Sequence, residues 1–373
     1  MRNHFLPAAA LLLTACSAPT LQVEVSNPTD TARENETVEI AWSEIASLKG
    51  LTPETVVVTA DGRQLPSQVL YFGQEEPQSL IFQCDVAASG TRTYEIGVGE
   101  RDAYPQRAYG RFVPERLDDY AWENDKVAFR AYGPALETAP GEMLATPGYD
   151  TWVKCVDTLV IDARYKRGNY HHNYGDGMDC YKVGRTLGAG ASAPFLNDTL
   201  WLSRNFASYE TLDNGPIRTT VRFTYAPFRA ADKEVSLVKI ISLDAHSHFN
   251  RMENRYEGDF TALPIACGFV RHDVKGLAAT DQWLGFYEAA SDSAQPEEDG
   301  DLYFGVILPG AEFLADAAGH AAALTEVESG KPMVYYAGTG WSQGGIADMR
   351  AWMELLDRTS ASITAPLSVT IVR

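Results

Sequence analysis

The sequence predicts an all-β protein, made of a small N-terminal β-sandwich followed by a large antiparallel β-supersandwich with few helices. Short runs that alternate apolar and polar residues recur along the whole chain, which is the pattern of half-buried strands. Polar turn residues separate these runs, and helical periodicity is confined to two segments. A chain of 373 residues is long enough to form two hydrophobic cores.

The first block of the chain, residues 21–110, predicts the small sandwich. Its short apolar or alternating runs lie at 21–25, 38–42, 56–58, 80–82 and 94–98. Turn pairs such as Asn27-Pro28 and Asp61-Gly62 stand between them, and strands at this spacing are typical of a β-sandwich. A polar stretch over 101–115 contains Pro105 and Pro114 and predicts the junction between domains.

The second block, residues 112–373, predicts the supersandwich. Between 217 and 225, the apolar residues Val221, Phe223 and Tyr225 alternate with polar ones, which indicates a half-buried strand. Two segments of this block are predicted as helices. One is the alanine-rich stretch 313–328, and the other is 346–356, which follows Gly344-Gly345.

The first sixteen residues predict a lipoprotein signal peptide. Arg2 and His4 precede an apolar run over 5–13 that is too short to span a bilayer, and the chain then reads Leu-Thr-Ala-Cys up to Cys16. We therefore expect residues 1–15 to be removed, Cys16 to carry lipid, and the chain to be attached to a membrane through that anchor. No acidic residue directly follows Cys16, which favours the outer membrane of the cell envelope, on its periplasmic or its surface side.

The overall charge restricts the partners of this chain. A net charge of -19 argues against nucleic acid, because proteins that bind nucleic acid need a basic face. It argues equally against an electrostatic attachment to anionic lipid. Four cysteines remain beyond Cys16, without any Cys-x-x-Cys pair, so free thiols and disulfides are both open. They are Cys84, Cys155, Cys180 and Cys267.

One segment, residues 164–185, stands out as a candidate binding site. From 154 to 185 the chain has six Lys or Arg and four Asp, a local excess of positive charge, with two histidines and four tyrosines in the same region. Gly168, Gly175 and Gly177 predict a loop or hairpin crossing without helix. Arginine forks match carboxylates, and tyrosine offers a ring face and a hydroxyl. The segment therefore predicts a site for an anionic, hydroxyl-rich ligand, and the alternative is a surface loop whose charges pair with each other.

A second candidate is the stretch 242–250, where polar and apolar residues alternate. As a strand, it would bring Asp244, His246, His248 and Asn250 onto one face, which either meets solvent or lines a cleft. In a cleft, a histidine beside Asp244 would be a general base. No third metal ligand is identifiable, so we expect no metal site and no cofactor, with a calcium requirement left open.

Aromatic residues around 335–341, including Trp341, are either core residues or platforms for sugar rings. The Gly-Thr-Gly at 338–340 lacks the features of a phosphate-binding loop. No Gly-x-Ser-x-Gly elbow, His-Glu-x-x-His motif or EF-hand loop occurs in the chain. The sequence therefore gives no support to a standard serine hydrolase or a metalloprotease.

Five stretches together resemble the DUF4861 family of exported Bacteroidetes-type proteins: WENDKVAFRAYGPAL (122–136), GDGMDCYKVGRTLGAG (175–190) with the run before it from His172, DNGPIRTTVRF (213–223), ISLDAHSHFNRMENRY (241–256) and YYAGTGW (335–341). More distantly they are similar to galactose-mutarotase-like supersandwich proteins, which epimerise, cleave or bind sugars on a concave sheet. The resemblance thus implies carbohydrate without fixing a reaction. The proteins that this chain resembles have glycine at the position of His246. The resemblance therefore gives less weight to the histidines of 242–250 and more to the segment 164–185, which we call the basic loop.

These observations predict an envelope lipoprotein that acts on oligosaccharides from acidic, uronate-containing glycans. The reaction is β-elimination with His172 or Tyr181 as the base, or hydrolysis with Asp176 and Asp179 or Glu123 as the carboxylate pair. A glycan-binding lipoprotein without catalytic activity is the alternative. The predicted catalytic residues are His172, Asp179 and Tyr181. The predicted substrate-binding residues are Arg164, His171, Asp176, Lys182, Arg185, His248 and Trp341.

Overall fold

A computed structural model of the chain describes residues 20–293 and 295–372. The predicted all-β architecture is confirmed, with a small sandwich followed by a large one and three α-helices among the described residues. The predicted signal peptide and Cys16 lie outside the described residues. Within the described part of the chain, no helix is both long and apolar enough to cross a membrane.

The small sandwich packs a five-stranded sheet against a three-stranded one. The inward residues of its strands, such as Val23, Ile40, Phe82 and Ile96, form one hydrophobic cluster. The first sheet has the order β26-β1-β7-β3-β4 and the second β2-β6-β5. In chain order the elements are β1 (Leu21–Ser26), β2 (Arg33–Ala41), α1 (Trp42–Ile45), β3 (Val56–Ala60), β4 (Arg63–Leu65), β5 (Ser67–Leu70), β6 (Ser79–Val86), β7 (Thr91–Val98) and, at the far end of the chain, β26 (Ser368–Val372).

The last strand corrects the predicted domain boundary. β26 pairs antiparallel with β1, so that Gln22 lies opposite Val372. The prediction assigned everything from 112 to 373 to the second block, but this strand completes the sheet of the first. The sequence of β26 does not indicate which strand it pairs with, because the residue pattern of an edge strand is the same whichever distant strand lies beside it.

The supersandwich contains three sheets. The largest has eight strands in the order β15-β16-β17-β18-β25-β22-β21-β20. These are β15 (Ser208–Asn214), β16 (Arg218–Ala230), β17 (Lys233–Asp244), β18 (Phe249–Gly258), β20 (Val274–Ala279), β21 (Trp283–Ala289), β22 (Asp301–Ile307) and β25 (Pro332–Trp341). The predicted strand around 217–225 is the start of β16, with Val221, Phe223 and Tyr225 buried.

Two five-stranded sheets face this large sheet and meet at a single bridge between Tyr149 and Gly188. One main core fills the space between the layers, with Trp122, Phe223 and Phe269 from the three sheets. The first sheet runs β12-β11-β10-β9-β8 and the second β14-β13-β19-β24-β23. Their strands are β8 (Ala108–Val113), β9 (Asp119–Asn124), β10 (Ala128–Ala131), β11 (Tyr149–Lys154), β12 (Gly177–Asp179), β13 (Ala189–Leu196), β14 (Thr199–Leu200), β19 (Leu263–Val270), β23 (Glu312–Ala317) and β24 (His320–Val327).

The two remaining helices are α2 (Ile161–Arg167) and α3 (Met349–Thr364). Short 3₁₀ turns lie at Pro114–Arg116, Pro134–Thr138 and Ser342–Gly344. The predicted helix at 346–356 corresponds to α3, which starts later because Asp348 caps it, accepting from the Ala351 N–H at 2.8 Å. Trp352 and Leu356 of α3 pack onto the large sheet.

The helix predicted at 313–328 is wrong, because this segment forms the hairpin of β23 and β24. Alanine has the highest helix propensity, and that preference guided the prediction. The three consecutive alanines at 321–323 are fully buried, on both faces of β24. Small side chains fit such a tightly enclosed strand, and tertiary packing overrides a local preference of less than about 1 kcal/mol per residue.

The strand predicted over 242–250 is also wrong. β17 ends at Asp244 and β18 begins at Phe249, with a turn between them in which His246 has a left-handed φ of 67°. The four polar residues therefore do not share one face. Asp244 pairs with Arg218, His246 contacts Asp125, His248 contacts the Thr339 carbonyl, and Asn250 accepts from Trp122 Nε1.

The cysteines of the described residues are free thiols and not disulfides. All four cysteines of the described residues are free, three of them buried and Cys155 exposed.

Candidate functional site

The candidate site lies on the face of the β8–β12 sheet that points away from the main core. β9, β10 and β11 are buried on both faces, so successive residues alternate between the main core and a second, polar face. We call that second set the charged face. It consists of Asp119 and Glu123 from β9, Arg130 from β10, Asp150, Trp152 and Lys154 from β11, and Asp179 from β12.

Strand register brings an arginine among three carboxylates. Arg130 stands directly opposite Asp150, and Asp179 stands opposite Trp152 on the next strand. Arg130 Nη2 lies 2.6 Å from Asp150 Oδ2 and 3.2 Å from Asp179 Oδ2. Arg130 Nη1 lies 3.8 Å from Asp119 Oδ2. Three buried carboxyls therefore share one guanidinium, which leaves an excess of negative charge unless some of them hold protons.

Burial shifts the acid–base equilibria of this cluster. It raises the pKa of Asp119 to about 6, and it also raises the pKa values of Asp150 and Asp179. For Asp179, the neighbouring Asp150 charge raises the pKa further and Arg130 opposes the shift. Carboxyls that share a buried site titrate as a coupled group with raised pKa values, because burial and neighbouring negative charge disfavour ionisation. The cluster therefore holds protons to a higher pH than exposed carboxyls do.

Aromatic rings enclose the guanidinium. The rings of Tyr132, Trp152 and Tyr170 lie 5.1 to 5.5 Å from Arg130 Cζ. The Tyr170 hydroxyl oxygen accepts from Arg116 Nε at 3.0 Å and from Arg130 Nη1 at 3.2 Å. Its own proton has no acceptor within the described part of the chain, so this phenol is held in position by two cations.

Residues 155–176 cover the charged face. The Glu123 carboxylate accepts from the N–H groups of Val160 and Ile161, where α2 begins, and lies 2.8 Å from Lys154 Nζ. α2 ends at Arg167 and is followed by Gly168, whose φ of 81° suits glycine. The prediction of a loop without helix is therefore wrong for its first residues.

Arg164, predicted to bind substrate, lies in α2 and is fully buried. Its Nη2 donates to the carbonyl oxygens of Val153 at 2.8 Å and Asp176 at 2.6 Å. Gly177 permits this approach, because a Cβ there would lie 2.1 Å from the Val153 oxygen. Arg164 thus ties the covering segment to the sheet and is not open to a ligand.

His171 is the predicted residue that the structure brings to the cluster from the solvent side. Its Nδ1 lies 3.2 Å from the Asp179 carbonyl oxygen and 3.7 Å from Asp179 Oδ2, while 52% of its side chain is exposed. A carbonyl oxygen only accepts, so this contact favours the tautomer with the proton on Nδ1. The neutral ring then has its basic lone pair on Nε2, which has no hydrogen-bond partner among the described residues. This is the arrangement of a histidine base oriented by a backbone carbonyl oxygen.

The other predicted residues of the basic loop lie elsewhere. His172 is exposed, with its ring 4.7 Å from that of Tyr174, and contacts no member of the charged face. Asp176 forms an ion pair with Arg167 at 2.8 Å, which lowers its pKa against the raising effect of burial. Lys182 and Arg185 are exposed, and Arg185 donates to the Ala145 carbonyl at 2.6 Å.

Tyr181 is a core residue. Its buried hydroxyl contacts the carbonyl oxygens of Gly188 at 3.0 Å and Val270 at 3.1 Å, and burial raises its pKa well above the usual value. Beside its ring, His272 Nδ1 lies 2.6 Å from the fully buried Glu288 carboxylate. The geometry therefore gives Tyr181 no contact with solvent that a general base needs.

His248 and Trp341 also have structural contacts. His248 Nδ1 lies 2.9 Å from the Thr339 carbonyl, and burial lowers its pKa. Trp341 is buried, with Nε1 donating to the Asp299 carbonyl at 2.7 Å. Neither residue joins the charged face.

Sequence reasoning missed most of the charged face, namely Asp119, Arg130, Asp150, Trp152 and Lys154, and the contact that Tyr170 makes with it. A signal was present, because charged residues stand four positions apart, and so on one face, within largely uncharged strands, as in Asp119-x-x-x-Glu123 and Asp150-x-x-x-Lys154. In the described residues, no group of three or more His, Cys, Asp or Glu side chains is arranged to hold a metal ion. In the charged face, the Arg130 guanidinium occupies the position between the carboxylates.

Comparison with known proteins gives the family of this chain. The model of a domain of unknown function, DUF4861, matches residues 25–369. The chain belongs to the DUF4861 family. It is 32% identical over 396 aligned positions to the uncharacterized protein P7 of Formosa agariphila, covering 98% of this chain and 97% of that relative.

Among solved structures, the DUF4861 chain is similar over 95% of its length to two proteins of Enterococcus faecalis. One is an alpha-mannosidase, with a TM-score of 0.48 and 8% identity. The other is a protein in the Glycosyl Hydrolase Family 38, with a TM-score of 0.49 and 9% identity. The chain spans about half the length of each, 46% and 47% respectively.

Two of the segments that carry the DUF4861 resemblance meet in the structure. Asn124 Nδ2 donates to the carbonyl oxygens of Asp244 and Ser247, at 2.6 and 2.7 Å. Asp125 accepts from the His246 N–H at 2.6 Å and lies 2.7 Å from its Nδ1. The WENDK segment thus fixes the turn between β17 and β18, and these motif residues have a structural role.

Proposed function

We propose that this DUF4861 protein is an enzyme that acts on oligosaccharides from acidic, uronate-containing glycans. The observation that supports the proposal is the half-exposed His171, whose Nδ1 lies 3.2 Å from the Asp179 carbonyl oxygen, beside a buried cluster of carboxyls with raised pKa values. A positioned histidine beside an internal proton store is suited to proton transfer at a ligand. Perturbed carboxyl groups are concentrated at functional sites more often than in ordinary cores.

The basic loop also carries two cations that are available to an anionic ligand. Lys182 and Arg185 lie three and six residues after Asp179 in the chain, and both are exposed. Neither has a carboxylate within 4 Å among the described residues. In a chain with 50 acidic residues, cations left without such a partner are available for a uronate carboxylate.

In the form that we favour, the reaction is β-elimination. Lys182 and Arg185 neutralise the uronate carboxylate, which makes the proton on the adjacent carbon more acidic. His171 Nε2 takes that proton, and the electron pair of the broken C–H bond forms a carbon–carbon double bond as the glycosidic C–O bond breaks. The imidazolium then returns the proton to the departing oxygen. Asp179 acts as a positioning residue, because its backbone carbonyl oxygen accepts from the His171 Nδ1–H and holds the ring in place.

Hydrolysis by the predicted carboxylate pairs has less support. Glu123 is fully buried and engaged with Lys154 and the start of α2, and Asp176 is paired with Arg167. A glycosidase needs two carboxyls that reach opposite sides of the scissile bond. Of the predicted set, only Asp179 belongs to the carboxyl cluster, and it lies beneath His171.

The test is a panel of uronate-containing oligosaccharides incubated with the purified protein, followed by the absorbance of unsaturated products and by the release of reducing ends. The proposal expects new absorbance together with new reducing ends for at least one substrate. Reducing ends without absorbance would indicate hydrolysis instead. No change in either signal across the whole panel would exclude the enzyme.

A glycan-binding protein without catalytic activity is the second candidate. It is favoured by Tyr174, whose ring is 53% exposed and lies 4.5 Å from Arg167 Cζ, because an exposed ring beside a cation can stack on a sugar. Calorimetric binding of an oligosaccharide without product formation, lost in Tyr174→Ala and kept in His171→Ala, would support this candidate over the enzyme.

We further propose that the protein is a lipoprotein of the cell envelope, attached through Cys16. The support is the tripartite sequence that ends at this residue. Cells grown with labelled palmitate are expected to incorporate label into the natural chain and not into Cys16→Ser. Equal labelling of both chains would refute the anchor.

A further inference from the structure

A cavity between the two sandwiches, distant in sequence from the basic loop, has the properties of a second binding site. Its volume is about 420 Å³, within the range of small-molecule sites, and domain junctions are a common location for such sites. It is lined on one side by residues of the small sandwich and of the linker after it, and on the other by the end of β15 and the turn that follows it. The lining residues that bear on ligand binding are Glu54, Gln68, Tyr71, Arg101, Leu212 and Asp213.

The walls of this cavity are held by hydrogen bonds across the junction. Gln68 accepts from the N–H groups of Ile217 and Arg218 at 2.9 and 2.8 Å. Asp213 accepts from the backbone N–H groups of Tyr71 and Phe72 at 2.6 and 3.0 Å. The two sandwiches are thus joined by buried side chains whose polar atoms are already used. The cavity is preformed, which reduces the entropy lost on binding.

Arg101 is exceptional among the arginines of this chain. In the described residues, every arginine that is not exposed has a carboxylate within 4 Å, except Arg101. Its guanidinium donates to uncharged oxygens, the Pro53 carbonyl at 2.8 Å, the Ser67 carbonyl at 2.6 Å and the Ser67 hydroxyl at 3.3 Å. Burial lowers its pKa, and the more distant Glu54 charge opposes that shift. A half-buried cation with no carboxylate within 4 Å, in a chain of net charge -19, is suited to receive an anion.

The rest of the lining narrows the class of ligand. The Tyr71 hydroxyl has no hydrogen-bond partner in the described part of the chain, and Glu54 is exposed at the rim. A carboxylate such as Glu54 only accepts, so it favours a ligand that carries hydroxyl donors in addition to its acid group. Val69 and Leu212 provide apolar surface for a ring face.

We propose that this cavity binds a small hydroxylated carboxylate of the uronic acid type, with its carboxylate on Arg101 and its hydroxyls on Tyr71 and Glu54. The site is separate from the charged face and needs no reaction at His171. It would hold the acidic end of a ligand while the chain's other site remains free.

The test is titration calorimetry of the full chain with D-glucuronate, with D-glucose and acetate as probes that lack the carboxylate or the hydroxyls. Glucuronate is expected to bind at least about tenfold more tightly than either. Arg101→Met should weaken glucuronate binding by about tenfold or more, and Tyr71→Phe, which removes one hydroxyl and leaves the Arg101 contacts intact, by about threefold. Thermal unfolding of each variant verifies that it is folded.

Two control variants test whether glucuronate binds in this cavity. One tests for a general effect of removing a positive charge, and the other tests for binding at the charged face. Arg358 is exposed on α3 and has no carboxylate partner among the described residues, so Arg358→Met should bind glucuronate like the natural chain. His171→Ala should also keep the affinity, because failure of the proposed enzyme leaves this cavity unchanged. Absence of glucuronate binding up to saturating concentration, or unchanged affinity in both Arg101→Met and Tyr71→Phe, would overturn the proposal. Loss of binding in His171→Ala alone would assign the ligand to the charged face and equally overturn it.

Discussion

Replacing Lys239 by methionine is expected to stabilise the protein. Lys239 is fully buried in β17, and its Nζ lies 5.0 and 4.8 Å from the ring centroids of Tyr149 and Tyr225. Its Nζ has no hydrogen-bond partner in the described residues, and burial lowers its pKa from 10.5 to about 7. At about 1.4 kcal/mol per pKa unit, this shift corresponds to an upper limit of about 5 kcal/mol of destabilisation. The two rings favour the charged form and offset about 1–2 kcal/mol, which leaves about 3 kcal/mol.

The stability difference between the natural chain and Lys239→Met is expected to depend on pH. Between pH 7 and 10.5 the unfolded chain holds a proton on Lys239 and the folded chain does not. The stability of the natural chain therefore rises with pH in this range, by up to about 1.4 kcal/mol per unit relative to Lys239→Met. The advantage of the variant is full below pH 7 and shrinks above it. Methionine keeps most of the buried stem, so the cavity left behind is small.

Urea unfolding of both chains at pH 6, 7, 8 and 9 measures the difference. Lys49→Met, at an exposed position, is the matched control and should stay within about 0.5 kcal/mol of the natural chain at every pH. A less stable Lys239→Met, or a difference that is the same at pH 7 and pH 9, would show that the prediction is wrong. Either result would mean that the amine remains charged in the core and is stabilised there.

Three further changes test the packing around the candidate site. Arg130→Met leaves three buried carboxyls without their cation and should cost about 3–5 kcal/mol in urea unfolding at pH 7, with a smaller loss at pH 5, where the carboxyls take up protons. Asp119 has a pKa raised to about 6, so its carboxyl binds a proton more tightly in the folded chain than in the unfolded chain. Its contribution to stability is therefore greatest at low pH and falls between about pH 4 and 6. Asp119→Asn should gain up to about 3 kcal/mol of stability relative to the natural chain between pH 4 and 7. Asn124→Ala removes the side chain that holds the turn after β17 and should cost about 2–4 kcal/mol, whereas Asn173→Ala in the exposed loop should cost less than about 1 kcal/mol. A loss in Asn173→Ala equal to that in Asn124→Ala would contradict the role given to the turn.

The fold class could be predicted because several strands have one solvent-facing side. Alternation is visible in β1, where Val23 and Val25 are buried and Glu24 is exposed, and in β16 around Phe223. Where both faces are buried, as in β24, alternation disappears and alanine propensity suggested a helix. The turn at His246 was missed because polar and apolar residues alternate through it, and its left-handed residue is not glycine.

The candidate site was predicted only in part. The basic loop was recognised from its charge, and it does contribute His171. Arg130 and Asp150, the other main members of the site, lie in strands whose second face is covered by residues 155–176. A sequence gives no direct indication that a distant segment folds over a sheet. Choosing between His171 and His172 required the Asp179 contact, because neighbouring residues in a loop point in different directions.

The proposed function depends most on His171, oriented by Asp179, as the base of an enzyme that cleaves uronate-containing oligosaccharides. The decisive experiment compares the rate of product formation of the natural chain, His171→Ala and His172→Ala on one cleaved substrate, with folding of each checked by thermal unfolding. The proposed mechanism predicts a loss of about 100-fold or more in His171→Ala and a change of less than about threefold in His172→Ala. Full activity in His171→Ala, or a large loss confined to His172→Ala, would contradict this mechanism.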